Sequence, residues 1–364
     1  MTTTIRQAAG SVLVVGLAGT ELTGLERAWL KLVRPSGIIL FRRNIVDAGQ
    51  TRALLAESTG YCNLANLRCV DIEGGTVDRL RDAVAPMSSA KAVAQTGQLT
   101  LMRQHGELIA REALAFGFNT TLAPVLDLAL PDSEGVMGTR SSSATAEGVV
   151  EYGRAFLAGL RAQGVVGCGK HFPGLGGGTR DSHHETPGIR RGWQELWNQD
   201  LVPYRELAGE LPMIMITHAA YPETQSGDRP ATASAFWPTT VLQKRIGYKG
   251  LIFSDDMEMG GILKYAPMEE AAILALRAGI HMLEICHSPE LILRCYESLI
   301  HEAERSAGFR KLLLERASVA AKLRKVRFGG RPSRALSAGQ LAGLREKVLR
   351  FAERVQAASA GLTA

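Results

Sequence analysis

The chain has 364 residues, 46% of them hydrophobic and 21% charged, with a formal net charge of +6. That is ordinary globular composition, with ample apolar material for one large core. The positive balance would suit nucleic acid. Much of it lies after residue 300, however, in Arg310-Lys311 and Lys322-Leu-Arg-Lys325, on what read as solvated helix faces without a recognition motif, so no nucleic-acid partner is expected.

Read in chain order, short apolar runs recur, each ending in glycine or polar residues and followed by a helical pattern. The first, Ser11-Val-Leu-Val-Val-Gly16, has only Arg6 as a basic residue before it and is too short to span a membrane. It reads as a first strand over 12–17, with no membrane contact and a cytoplasmic location expected by default. Further strands are predicted over 37–41, 67–71, 121–126, 165–169, 213–217, 251–254 and 281–286. Amphipathic stretches fall between them, at 101–116, 148–162 and 268–278. Eight alternations of strand and helix, with strands apolar on both faces, predict a (β/α)8 barrel of the α/β class; a doubly wound open sheet is the alternative. The barrel is expected over 1–302. A helical extension over 303–364, broken at Gly329-Gly-Arg-Pro332, is expected to pack outside it.

The cysteines Cys62, Cys69, Cys168, Cys286 and Cys295 are odd in number and form no CxxC pair, so neither a zinc site nor a disulfide framework is suggested. Cys69, Cys168 and Cys286 lie within apolar runs and read as small buried hydrophobes.

In a barrel of this kind reactive groups sit at the C-terminal ends of the strands. Ionisable residues recur there: Asp71 and Glu73 after the third strand, Asp127 after the fourth, Lys170-His171 after the fifth, His218 after the sixth, Asp255-Asp256 after the seventh. One such Asp is usually a helix N-cap; five strands agreeing mark a polar site. No GxSxG elbow, P-loop or HExxH is present, and Gly174-Leu-Gly-Gly-Gly178 lacks the context of a nucleotide cradle, reading instead as a long loop. His171, His183, His184 and His218 with nearby carboxylates could bind a metal, but no ligand spacing supports it; neither metal nor cofactor is expected. What remains is carboxylate chemistry on a neutral polar ligand. Asp71, Arg79, Arg140, Lys170 and His171 suit the binding of sugar hydroxyls, although Arg79 could simply occupy a helix face and Lys170–Asp71 could be a structural ion pair.

Several segments together carry a specific resemblance: Gly37-Ile-Ile-Leu-Phe-Arg-Arg-Asn44, Asp71-Ile-Glu-Gly-Gly75, Ala123-Pro-Val-Leu-Asp127, Gly138-Thr-Arg-Ser141, Lys170-His-Phe-Pro-Gly174, Asp181-Ser-His183 and Phe253-Ser-Asp-Asp256. In this order the chain resembles glycoside hydrolase family 3, and within it the single-domain β-N-acetylglucosaminidases of the NagZ type that act in peptidoglycan recycling. The resemblance implies a retaining hydrolase with Asp255 as covalent nucleophile. It implies His183 as acid/base, oriented by Asp181, and Asp71, Arg79, Arg140, Lys170 and His171 as substrate contacts. Residues two apart in an extended segment face the same way, so Asp181 is suitably spaced to hold the His183 ring; His184 is the rival without that spacing. Asp256 is expected to bond nearby backbone. The implied partner is a GlcNAc-containing oligosaccharide or muropeptide. A β-glycoside phosphorylase, another β-glycosidase and a catalytically inactive sugar-binding barrel are the alternatives. The family often has Arg at Thr76, His at Leu175 and Asp at His281; these departures touch none of the implied catalytic positions.

Overall fold

The structure, a computed structural model, describes residues 3–63, 65–178, 187–328 and 334–360. Eight parallel strands close a barrel: β1 (Leu13–Gly16), β2 (Gly37–Leu40), β3 (Leu67–Val70), β4 (Thr120–Thr121), β5 (Val166–Phe172), β6 (Met213–Ile216), β7 (Leu251–Asp256) and β8 (Met282–Ile285). Closure comes from β1 pairing with both β2 and β8, with Val14 opposite Gly37 on one side and Glu284 on the other. The predicted (β/α)8 architecture is therefore the observed one, and the open sheet is excluded.

Side chains alternate across each strand, which sorts the core into two layers. Val14, Cys69, Cys168, Met213, Met215, Leu251, Phe253 and Met282 pack together as one buried cluster inside the barrel. Their alternates, among them Val15, Val70, Ile214, Ile216, Ile252 and Leu283, belong to the larger cluster shared with the surrounding helices. Extending the inward set by two residues reaches Asp71 from Cys69, Lys170 from Cys168, Asp255 from Phe253 and Glu284 from Met282. The same period that packs the core thus carries four ionisable side chains to the lumen.

Strand ends depart furthest from expectation at the fourth and fifth strands. The fourth strand was expected over 121–126, but the regular ladder covers only Thr120–Thr121. Pro124 has no N–H to give and interrupts it. The contact between the chains continues irregularly, through Lys170 N–H to Pro124 O (3.1 Å) and Leu126 N–H to Lys170 O (2.6 Å). The fifth strand instead runs three residues past its expected end at 169, with a register shift between Gly169 and Phe172 that aims Lys170 and His171 at the site.

Helix Pro289–Arg305 is followed by Ala307–Phe328 and Ala338–Ala360. Ala320 joins the inner-barrel cluster, and Arg324 donates to Ser11 O (3.1 Å), so the helix Ala307–Phe328 closes the end of the barrel opposite the polar rim. On the flank, Phe351 of the last helix stacks on His105 at 5.7 Å. The sequence break at 329–332 lies outside the described residues. Among the described residues no helix is long and apolar enough to cross a membrane, and all five cysteines are free.

Candidate active site

At the C-terminal rim, Asp71, Glu73, Arg79, Arg140 and Lys170 form one ion network. Lys170 Nζ lies 2.9 Å from Asp71 Oδ1 and 2.6 Å from Glu73 Oε1. Arg140 grips Glu73 with both ends of its fork, Nε to Oε2 at 2.8 Å and Nη2 to Oε1 at 2.9 Å. Arg79 Nη2 approaches Asp71 Oδ2 at 3.5 Å. Glu73 stands on Ile72–Gly74, which pairs antiparallel with Val77–Asp78. Gly74 at φ +88° makes the tight approach that this hairpin needs, since a Cβ there would meet Ser88 O at 2.1 Å.

Asp71, Glu73 and Lys170 are almost fully buried, so their charges must be paired, and the half-buried Arg79 and Arg140 close the network from the solvent side. Burial pushes the Asp71 carboxyl up, but Lys170 and Arg79 outweigh it and hold it below the ordinary range. Glu73 is held far lower by Arg140 and Lys170, again against burial. Burial opposes the charge on Lys170, and the two carboxylates more than restore it. The network therefore presents charged donors and acceptors, the equipment for recognising hydroxyl groups.

His171 is set by Asp127. The carboxylate accepts from His171 Nδ1 (2.7 Å), from the His171 backbone N–H (3.2 Å) and from Leu175 N–H (2.7 Å). Nε2 of the ring is left beside Arg140 Nη2, at 3.4 Å. Tyr221 donates to Gly174 O (2.7 Å), and Ile189 N–H donates to Ala220 O (2.8 Å). The chain is thus anchored on both sides of residues 179–186. Asp181, His183 and His184 lie in that stretch, outside the described residues.

Asp255 ends β7 facing the lumen, and its Oδ1 accepts the backbone N–H of Asp256 at 2.9 Å. His218 braces the next peptide, with Nε2 donating to Asp256 O (2.9 Å) and Nδ1 against the Thr232 hydroxyl (2.8 Å). Burial lowers its pKa, with Asp255 acting in the opposite direction. Asp256 bonds nearby backbone, Oδ1 accepting from Glu258 N–H (3.1 Å) and Cys286 N–H (3.3 Å).

All five expected substrate contacts thus stand on one rim with Asp255. Arg79 lies in a turn that aims it at Asp71, and not on a helix face. The Lys170–Asp71 ion pair exists and is part of the larger cluster. Glu73 and Asp127 were visible at strand ends but given no role; that Glu73 is the shared anchor of Lys170 and Arg140 follows from the hairpin and no local motif encodes it. The departures from the family fall away from the chemistry. Thr76 is an exposed turn residue, Leu175 packs its side chain in the core and gives its backbone N–H to Asp127, and His281 sits at the far end of β8, where Nδ1 accepts from Ile252 N–H (3.1 Å). Burial lowers the His281 pKa to about 3.

Glu284 was unforeseen, hidden in an apolar strand. It is buried in the lumen, and Oε1 finds no hydrogen-bond partner among the described residues. Burial, followed by the nearby charges of Asp71, Asp256 and Asp255, raises its pKa well above the ordinary value, which favours the neutral acid. Glu284→Gln is expected to fold with a melting temperature within roughly 3 °C of wild type at neutral pH, because it removes no charge. A much larger loss by calorimetry would mean that Glu284 is ionised.

A closed (β/α)8 barrel whose rim joins Asp71 and Glu73 to Lys170, Arg79 and Arg140 is a scaffold equipped to hold a hydroxyl-rich ligand beside a carboxylate. The chain belongs to glycosyl hydrolase family 3, matching its N-terminal domain over residues 6–325. It is 39% identical over 280 residues to a β-hexosaminidase of Tolumonas auensis (76% of this chain, 83% of that one). It is 38% identical over 288 residues to one of Alkalilimnicola ehrlichii (77% and 82%). Among solved structures, a family 3 β-N-acetylglucosaminidase from Paenibacillus sp. superposes with TM-score 0.86 at 28% identity, covering 96% of this chain and 68% of that one. NagZ from Neisseria gonorrhoeae in complex with N-trifluoroacetyl-D-glucosamine superposes with TM-score 0.71 at 30% identity, covering 86% and 98%. The enzyme is accordingly a glycoside hydrolase of the β-N-acetylhexosaminidase class.

Proposed function

We propose that the chain is a retaining exo-β-N-acetylglucosaminidase acting on terminal β-linked GlcNAc, with peptidoglycan fragments of the GlcNAc-anhydro-MurNAc type as substrate, in cytoplasmic cell-wall recycling. In this reading the barrel over 1–302 holds the site and the helices over 303–364 support it from outside. The observation that carries it is Asp255, an inward carboxylate at the end of β7, sharing the rim with the Asp71–Lys170–Glu73–Arg140 cluster. Asp71 accepts from ring hydroxyls, while Arg79, Arg140, Lys170 and His171 orient the sugar. Asp255 attacks the anomeric carbon as His183, oriented by Asp181, protonates the leaving oxygen. Water deprotonated by His183 then releases the sugar with retained configuration. The ligand named with the Neisseria gonorrhoeae enzyme, an N-acylated glucosamine, supports the sugar assignment.

A histidine acid/base, unlike a glutamate, does not repel an incoming anion, which keeps phosphorolysis as the second reading. A panel of aryl β-glycosides, assayed with and without phosphate, separates the two by whether free sugar or sugar 1-phosphate accumulates. His183→Ala is expected to cut turnover roughly 10²–10⁴-fold on a disaccharide, whose leaving group needs protonation, and to flatten one limb of the pH profile. The loss should be smaller on p-nitrophenyl substrates. Equal activity of the variant on both would remove His183 from the mechanism.

A further inference from the structure

The ends of β7 and β8 bring together a second set of polar side chains that the glycosidase reaction does not use. Asp256 and Glu258 come from the first, Cys286 and His287 from the second. One potential ligand atom from each of Asp256, Cys286 and His287 lies within 4.8 Å of the other two. His287 Nδ1 is 3.5 Å from Asp256 Oδ2 and 3.1 Å from Glu258 Oε2. Each carboxylate has one oxygen tied to backbone N–H groups: Asp256 Oδ1 by Glu258 and Cys286, and Glu258 Oε1 by Ser288 at 2.6 Å. The other oxygen of each is thereby turned toward the imidazole.

We propose that Asp256, Cys286 and His287, with Glu258 as fourth ligand, form a binding site for a borderline-soft divalent cation such as Zn²⁺, and that its occupancy inhibits the enzyme. Thiolate, imidazole and carboxylate together suit zinc better than magnesium or calcium, which take oxygen ligands. Tetrahedral zinc places such ligand atoms about 3.3–3.6 Å apart, so Asp256, Cys286 and His287, now within 4.8 Å of one another, close on the ion by about an ångström, and Glu258 turns in from His287 to complete the set. The half-exposed His287 ring gives the ion access, while the buried Cys286 closes the inner side. A thiolate and two carboxylates exceed the charge of the ion. Arg43 offsets that excess, with Nη2 donating to Cys286 O at 2.6 Å and its charge felt by Cys286, Glu258 and Asp256.

The route to inhibition is short. The Asp256 N–H is the hydrogen bond that orients Asp255, and His218 holds the carbonyl of the same residue. An ion that draws the Asp256 carboxylate toward Cys286 shifts the peptide that aims the nucleophile. This part rests on the role proposed for Asp255, whereas binding does not.

The test uses the full chain stripped with a chelator and titrated with Zn²⁺ by calorimetry, and with Co²⁺ by absorption. A single zinc should bind, and cobalt should give the near-ultraviolet charge-transfer band of a thiolate ligand. Cys286→Ser and His287→Asn should each bind zinc at least tenfold more weakly, keep basal activity, and resist inhibition; Cys286→Ser should also lose the band. Asp255→Asn should bind as wild type does. No saturable zinc binding overturns the proposal, as does binding unchanged in both variants, or a cobalt band that survives Cys286→Ser. Zinc inhibition that persists in both variants overturns the inhibitory role.

Discussion

Asp255→Asn is expected to fold as wild type and to lose at least ~10⁴-fold in turnover, in line with the loss seen when a covalent nucleophile is removed from a hydrolase. The substitution is close to isosteric. An asparagine carbonyl can still accept the Asp256 N–H that Asp255 Oδ1 accepts now at 2.9 Å, so the local backbone keeps its partner. His218 bonds the Asp256 carbonyl and the Thr232 hydroxyl, and the substitution changes neither. What disappears is the anionic oxygen, and a neutral amide neither forms the glycosyl ester nor stabilises positive charge at the anomeric carbon. Burst kinetics on a dinitrophenyl β-N-acetylglucosaminide, with a melting curve on the same sample, check the two halves. Turnover within roughly tenfold of wild type would move the nucleophile elsewhere.

That Asp255 stands on the polar rim is legible from the period of two in the strands, while its role as nucleophile is what the resemblance implies. Phe253 packs inside the barrel and Asp255 follows it on the same face, so an aspartate appears where apolar spacing calls for another core residue. The same holds for Asp71 beyond Cys69 and Lys170 beyond Cys168. Pattern reading failed where the backbone departs from regular geometry or where a charge is embedded in an apolar run. Pro124 shortens β4 while leaving an apolar stretch that looks like a complete strand. Glu73 acquires its partners only because a hairpin with Gly74 at positive φ folds it over the lumen toward Arg140, 67 residues away. Glu284 stands between Leu283 and Ile285, and its raised pKa depends on burial and on carboxylates from two other strand ends, β3 and β7. Cys286 was read as a small hydrophobe from the apolar run around it, and it is indeed buried; its proximity to Asp256 depends on how β7 and β8 end side by side.

Removing the Glu73 side chain has the largest expected effect on stability. In Glu73→Ala, Lys170 retains only Asp71, and Arg140 loses both arms of its bidentate pair while remaining mostly buried. Breaking a buried pair from one side typically costs about 3–5 kcal/mol, because the stranded charge cannot recover its hydration. For a chain of this size that is a fall in melting temperature of about 4–7 °C. Glu73→Gln should fall between this variant and wild type, keeping one carbonyl acceptor in place but not the charge. The sign of the pH dependence follows from linkage. Glu73 has a folded-state pKa held below the ordinary glutamate value of 4.5, so its stabilisation is fully present above that value. It is lost as the pH falls toward the folded-state pKa. The difference in melting temperature between wild type and Glu73→Gln should therefore be constant from neutral pH down to about pH 5 and narrow in stronger acid. Activity adds an independent reading: with Arg140 released and Lys170 drawn toward Asp71, the substrate clamp loosens, and KM should rise in Glu73→Gln. Melting temperatures of wild type and Glu73→Gln that coincide at neutral pH would mean that Lys170 and Arg140 are held in place without Glu73.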